Sequence, residues 1–71
     1  EEPEEKWMES LSLREALERL EPRLRLIVEE RFFREKTQEE IAARIGISQV
    51  QVSRLEKTAL KLLREMLREE I

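Results

Sequence analysis

Apolar residues recur along this chain with the spacing of an α-helix. From Ser12 onward they follow at i, i+3, i+4 and i+7, which predicts a short helix with one apolar stripe; these residues are Leu13, Ala16, Leu17 and Leu20. Ser12 and Glu15 have the spacing of a capping box that begins such a helix. Proline is tolerated only in the first turn of a helix, so Pro22 ends this helix and opens a second that runs toward Arg34.

The second predicted helix has apolar residues on two sides. At ~100° per residue, four of them fall on one arc and are expected in the core; they are Leu24, Ile27, Val28 and Phe32. Leu26 and Phe33 fall on the other side. They either pack against flanking segments or are exposed to a partner, and we favour packing because single exposed apolar residues are weak indicators of an interface.

The stretch TQEEIAARIGISQVQVSRLEK, residues 37–57, contains the only glycine of the chain. Thr37 with Glu40 and Ser48 with Gln51 form two further capping boxes, and Gly46 stands between them where a left-handed C-cap is needed. A short helix, a glycine turn and a longer helix make the pattern of a helix-turn-helix. A plain helical hairpin gives the same pattern, so both interpretations stay open at this level.

The last predicted helix is apolar on one side and polar on the other. The apolar side is expected in the core and contains Val52, Leu55, Ala59, Leu62, Leu63 and Met66. The polar side contains Val50, Ser53, Arg54, Lys57, Lys61 and Arg64, flanked by Gln49 and Gln51. The first residues of such a helix contact base edges in the major groove, where Gln suits adenine, Arg suits guanine and an exposed Val suits a thymine methyl group. This polar side therefore favours DNA binding over a plain hairpin, with Lys57 and Lys61 suited to phosphates.

Composition excludes most enzyme chemistry. The chain has no Cys and no His, so disulfides, thiolate metal sites and imidazole catalysis are excluded, and no cofactor is expected. The formal net charge is -3, but residues 1–30 contain ten acidic and five basic side chains, whereas residues 44–64 contain five basic side chains and Glu56 as the only acid. This local positive charge suits phosphates, although solvated helix faces are the simpler explanation for any single side chain.

The segment order predicts one small all-α domain. We expect about four helices with a C-terminal helix-turn-helix in residues 10–71, preceded by a disordered segment or linker stub in residues 1–9. The apolar runs are far too short for a membrane span, and the acidic start lacks the regions of a signal peptide. A soluble, intracellular protein without a membrane partner is therefore expected.

The sequence resembles region 4 of bacterial sigma factors. The string TQEEIAARIGISQVQVSRLEKTALKLL, preceded by LEPRLRLIVEERFF and WMESLSLREAL, is similar to the sporulation and general-stress branch of Gram-positive bacteria. The resemblance implies a non-enzymatic domain that recognises the promoter minus-35 element in the major groove and docks on the flap of the RNA polymerase β subunit. It implies promoter double-stranded DNA and core polymerase as partners and leaves an anti-sigma factor open as a third partner. It also implies a location in the bacterial cytoplasm, in association with the nucleoid.

Carried over position by position, the resemblance implies the residues of the DNA interface. Base contacts fall on Gln49, Val50, Ser53 and Arg54, and phosphate contacts fall on Arg23, Arg31, Thr37, Gln38 and Thr58. Gln38 would act through its backbone N–H, because a helix N-terminus is a ready phosphate site. Arg31 also falls within the apolar arc of its helix, so a role as a buried partner of Glu40 stays open beside the phosphate contact.

Other features keep alternatives open. The chain departs from the family pattern at Pro22 and Leu24, near which relatives usually have polar residues, and at Glu30, where they usually have an apolar one. The sequence contains no counterpart of sigma regions 2 and 3, so an excised domain is expected. A stand-alone helix-turn-helix repressor is the alternative function, and it would need a dimer face to span two half-sites. A hydrolytic enzyme is disfavoured because the carboxylates lie beside Lys or Arg without a Gly-rich loop or a nucleophile–base pair.

Overall fold

The structure is a computed structural model and describes residues 11–69. All regular secondary structure in this range is helical, which confirms the predicted all-α class. The helices are α1 (Leu11–Arg19), α2 (Pro22–Val28), a π-helical turn (Glu29–Phe33), α3 (Gln38–Ile45) and α4 (Gln49–Glu69). The prediction that residues 1–9 form a disordered or linker segment lies outside the described residues.

The boundary between α1 and α2 follows the proline. Pro22 is the first residue of α2, as predicted, where its missing N–H leaves no hydrogen bond unmade. At the other end of α1 the prediction was wrong, because Leu11 and Ser12 are already helical and Ser12 is therefore not the N-cap. The short loop between the two helices lets both pack against α4.

Helix α2 runs without a break into the π turn, which the sequence did not predict. The Arg34 N–H donates to the Glu29 carbonyl at 3.1 Å, five residues back, in place of the α-helical bond to the residue four back. The turn is closed by the Lys36 N–H, which donates to the Glu30 carbonyl at 2.9 Å, and by Glu35, which has a left-handed φ of 57°. The chain thereby reverses from α2 toward α3 within a few residues.

Two apolar clusters hold the helices together. The larger one joins α1, α2 and α4 and contains Leu13, Ala16, Leu17, Leu20, Leu24, Val28, Ala59 and Leu63. The smaller one joins α2, α3 and α4 and contains Ile27, Ile41, Ala42 and Val52. Leu55 packs against both clusters, so α4 contributes to both parts of the core.

The predicted core is confirmed for most positions and wrong for two. Leu62 is 38 % exposed although its spacing placed it on the apolar side of α4, and Phe33 is 46 % exposed although packing was favoured. Conversely, two charged residues, Glu30 and Glu56, are buried. Each of these buried carboxylates has arginine partners, which are described below.

Candidate nucleic-acid interface

Helices α3 and α4 form a capped helix-turn-helix. The Glu40 N–H donates to Thr37 Oγ1 at 3.0 Å and the Thr37 N–H donates to Glu40 Oε1 at 2.8 Å, so the capping box at the start of α3 is complete. At the start of α4, the Gln51 N–H donates to Ser48 Oγ at 3.1 Å and the Ser48 N–H donates to Gln51 Oε1 at 3.2 Å. Both boxes were predicted and both are confirmed.

The turn between these helices depends on Gly46. Its φ of 77° and ψ of 32° lie in the left-handed region, as predicted for the C-cap of α3. The N–H groups of Gly46 and Ile47 both donate to the Ala42 carbonyl, at 2.9 and 3.1 Å. The turn therefore satisfies the end of α3 and redirects the chain so that Val52 packs against Ile41 and Ala42.

This packing leaves the first turns of α4 facing outward. Val52 is fully buried, whereas Gln49, Val50 and Arg54 are exposed and Ser53 is half-buried. Positions 49, 50, 53 and 54 share one side of a helix, because residues three and four apart are neighbours on its surface. The structure thus brings together all four predicted base-contacting residues. Val50 is 53 % exposed, an apolar group in a polar row that the core does not use.

The side chain of Gln49 is held by a neighbour from α3. Gln49 Nε2 donates to Gln38 Oε1, and Gln38 Nε2 donates to Glu56 Oε1 at 2.8 Å. The side chain of Gln38 is therefore engaged within the protein, and the backbone N–H at the start of α3 is the group left for a phosphate. From the sequence, Glu56 was noted only as the single acid among five basic residues. The residues around Glu56 gave no indication of these partners.

Arg31 has the structural role that the sequence left open, but with a different partner. Arg31 Nε lies 3.1 Å from Glu56 Oε1, and the guanidinium stands 5.8 Å from the centroid of the Phe32 ring. The predicted pairing with Glu40 is wrong, because Glu40 closes the capping box with Thr37. The Arg31 side chain is still 36 % exposed, so part of its guanidinium remains accessible.

The remaining predicted phosphate-contacting residues differ in whether their side chains are already engaged by other residues. Arg23, Lys57 and Lys61 are exposed, and none has a hydrogen bond or ion pair to another residue in the described range. Thr37 is exposed, and its hydroxyl oxygen accepts from the Glu40 N–H in the cap while the hydroxyl also helps to lower the pKa of the Glu40 carboxylate. Thr58 is exposed, but its hydroxyl donates to the Arg54 carbonyl at 3.1 Å, so this rotamer offers a phosphate no hydrogen.

Arg23 and Arg54 are distant in sequence but line one shallow hollow. Its other residues are Ile47, Gln51 and Leu55, so the start of α2 lies beside the outer face of α4. This places one predicted phosphate-contacting arginine next to one predicted base-contacting arginine. Glu56, the only acid in residues 44–64, is buried and pairs with Arg31, so it does not compensate the exposed side chains of Arg54, Lys57 and Lys61.

A second buried carboxylate, that of Glu30, connects the helix-turn-helix to the π turn. Glu30 Oε1 lies 3.1 Å from Arg44 Nη1, and Glu30 Oε2 lies 3.4 Å from Arg34 Nη1. Glu30 belongs to the π turn and Arg44 to α3, so this pair fixes the two elements relative to each other. In the sequence analysis Glu30 was notable only as a departure from the family pattern, and neither arginine partner was predicted.

The capping box also affects the charge of Glu40. The backbone N–H of Thr37 donates to this carboxylate, and together with the Thr37 hydroxyl and the nearby Lys36 it lowers the pKa of Glu40 below its ordinary value of 4.5. The negative charge is thereby stabilised in the first turn of α3, where it also matches the helix dipole.

The described range has neither a metal-binding cluster nor a membrane-spanning helix. Residues 11–69 contain no cluster of three or more acidic, His or Cys side chains that could hold a metal ion. None of the helices described in this range has the length and apolar character needed to cross a membrane.

Comparison with known proteins gives a consistent family. The model of the family described as "Sigma-70, region 4" matches residues 16–65. The chain is 54 % identical over 61 residues to the RNA polymerase sigma-F factor of Priestia megaterium, covering 86 % of this chain and 24 % of that protein. It is 56 % identical over 55 residues to the RNA polymerase sigma-G factor of Bacillus subtilis, covering 78 % of this chain and 21 % of that protein. The chain thus spans about a quarter of the length of these relatives, and no solved structure matches it.

Proposed function

The chain belongs to the sigma-70 region 4 family, and from this premise we propose that it recognises the minus-35 element of a promoter in the major groove while docking on the β flap of RNA polymerase. Its role is binding rather than catalysis. Its proposed place is the bacterial cytoplasm in association with the nucleoid. An anti-sigma factor is a further proposed partner.

One observation carries the DNA-binding part of the proposal. The first turns of α4 expose Gln49, Val50 and Arg54 on one side, while Val52 on the other side is buried against α3. A recognition helix must present its N-terminal side chains to base edges and be held rigidly by the preceding helix. The two capping boxes and the Gly46 turn supply that rigidity.

The distribution of charge suggests that the domain and the polymerase each supply part of the affinity for the promoter. The exposed cations Arg23, Lys57 and Lys61 can neutralise only a few phosphates, and the acidic residues in the first half of the chain oppose DNA binding. The domain alone is therefore expected to bind weakly and to depend on salt. Docking on the polymerase would supply the remaining affinity by raising the effective concentration of the domain at the promoter.

Selection from a randomised duplex library tests the sequence recognition. The 71-residue chain, at low salt, should enrich one short motif, and a Gln49→Ala and Arg54→Ala double variant should enrich none. Circular dichroism of the double variant serves as the folding control, because both side chains are exposed. Enrichment of the same motif by the double variant would contradict the proposed interface.

A second experiment separates the proposal from a stand-alone repressor. A pull-down with the β flap should capture the chain, and sedimentation should find a monomer at micromolar concentration. A repressor would instead form a dimer that spans two half-sites, and it would have no affinity for the flap. A stable dimer without flap binding would therefore favour the repressor.

A further inference from the structure

A short series of hydrogen bonds connects the exposed Gln49 to the buried Glu56. Gln49 Nε2 donates to Gln38 Oε1, Gln38 Nε2 donates to Glu56 Oε1 at 2.8 Å, and Arg31 Nε lies 3.1 Å from the same carboxylate oxygen. The four residues come from the π turn, α3 and both the first and second turns of α4. The Glu56 side chain is only 12 % exposed, so this end of the series is fixed inside the domain.

The chemistry of Glu56 determines the direction of every bond in the series. An ionised carboxylate has no hydrogen and can only accept, so Gln38 must turn its NH₂ group toward Glu56. The carbonyl oxygen of the Gln38 amide then faces the opposite way, toward Gln49. Because that oxygen is also only an acceptor, Gln49 must present its own NH₂ group to it.

The groups that remain on Gln49 match one base. One N–H of its amide serves Gln38, which leaves the second N–H and the oxygen Oε1 for a ligand, and Oε1 accepts no hydrogen bond from residues 11–69. Adenine presents an acceptor, N7, beside a donor, the N6 amino group, and takes a bidentate contact from such an amide. Guanine presents two acceptors there and would need donors only.

We propose that Glu56 is a positioning residue that, through Gln38, orients the amide of Gln49 and so sets its preference for adenine over guanine. This inference rests on the proposed function, because it requires α4 to lie in the major groove. It goes beyond that function in assigning specificity to a buried residue that does not touch DNA.

The test measures base preference at a single position. Selection with Gln49→Ala first identifies the base pair that Gln49 contacts, because the preference is lost there only. At that position Glu56→Met, which replaces the acceptor with an unbranched apolar side chain, should reduce the adenine preference by about five- to tenfold. Gln38→Met should have the same effect at the same position while leaving the Arg31–Glu56 pair in place.

A matched control shows whether the loss of any buried carboxylate has the same effect. Glu30→Met makes the same change at another buried carboxylate with two arginine partners, but Glu30 has no bond to Gln38 or Gln49. It should leave the base preference at the Gln49 position unchanged, whatever its melting temperature. If Glu56→Met does not fold, Gln38→Met decides the question.

The possible results separate the inference from the proposed function. Unchanged adenine preference in Glu56→Met and Gln38→Met, with Gln49→Ala still flattening one position, would overturn the positioning role and leave the DNA-binding proposal intact. Equal loss of preference in Glu30→Met would also overturn it, because the effect would then follow from the loss of any buried carboxylate rather than from the bond to Gln38. A wild-type chain that enriches no motif would overturn both.

Discussion

Glu30 and Arg44 form an ion pair of 3.1 Å between the π turn and α3, and the carboxylate is almost fully buried while the guanidinium is mostly exposed. The two ends of this pair are therefore not equivalent. An exposed arginine that loses its partner can be hydrated, whereas a buried carboxylate that loses its partner retains an uncompensated charge.

The first prediction follows from that asymmetry. Arg44→Met should lower the free energy of unfolding by roughly 1–3 kcal/mol, because Glu30 would keep only the longer pair to Arg34. Glu30→Leu should be close to neutral, since an apolar residue of similar volume removes the buried charge itself. Urea denaturation of the two variants measures both values, and a Glu30→Leu variant less stable than Arg44→Met would contradict the argument.

The second prediction concerns the turn of the helix-turn-helix. Gly46→Val should destabilise the domain by about 1–2 kcal/mol, because a β-branched residue is strained at a φ of 77°. Apart from Gly46 and its two chain neighbours, no residue has a heavy atom within 4 Å of the position that a Cβ would occupy, so backbone strain, rather than a clash, is the expected cause. Gly46→Asn is the matched control, since Asn tolerates the left-handed region, and its melting temperature should lie close to that of the wild type.

Local rules were sufficient for the parts of the fold that depend on neighbours in sequence. The capping boxes at Thr37 and Ser48, the left-handed Gly46 and the helix start at Pro22 are each fixed by a few adjacent residues. Helical spacing also identified the outward side of α4, because the buried Val52 and the exposed Val50 differ by two positions. This is why the candidate base-contacting surface could be predicted from the sequence.

The remaining features depend on partners that are distant in sequence. Glu56 is buried because Arg31 and Gln38 reach it from 25 and 18 residues away, and no periodicity indicates such a contact. Leu62 lies on the apolar side of α4, yet the described helices pack against Ala59 and Leu63 and leave it 38 % exposed. The π turn was also missed, because a helical wheel assumes one α-helical spacing throughout.

The third prediction concerns acid. The Thr37 backbone N–H and the charge of Lys36 lower the pKa of Glu40 below 4.5, so the folded state favours the ionised form. This contribution to stability is complete above pH 4.5 and is lost as the pH falls through the lowered pKa. Glu40→Gln, which can still close the capping box, should therefore show a weaker loss of stability between neutral pH and pH about 3 than the wild type. Parallel curves of melting temperature against pH for the two proteins would contradict this role.

The fourth prediction distinguishes base contacts from phosphate contacts on α4. Arg54 is exposed beside Gln49 and Val50, whereas Lys61 lies about 10 Å farther along the helix, two turns away. Arg54→Ala should cost roughly 1–3 kcal/mol of binding free energy and relax the preference at one base pair. Lys61→Ala should weaken binding to all sequences about equally and reduce the slope of log K against log salt by about one.

Binding curves on a set of single-base-pair variants of the selected duplex, each at several salt concentrations, measure both effects. Lys57→Ala provides a second phosphate-type control on the same side of the helix, and it should behave as Lys61→Ala does. The expected contrast is a change of preference without a large change of salt slope for Arg54, and the reverse for the lysines. A loss of affinity in Arg54→Ala that is equal for every duplex would show that Arg54 contacts phosphate rather than a base, and α4 would then lie in the groove at a different angle from the one proposed.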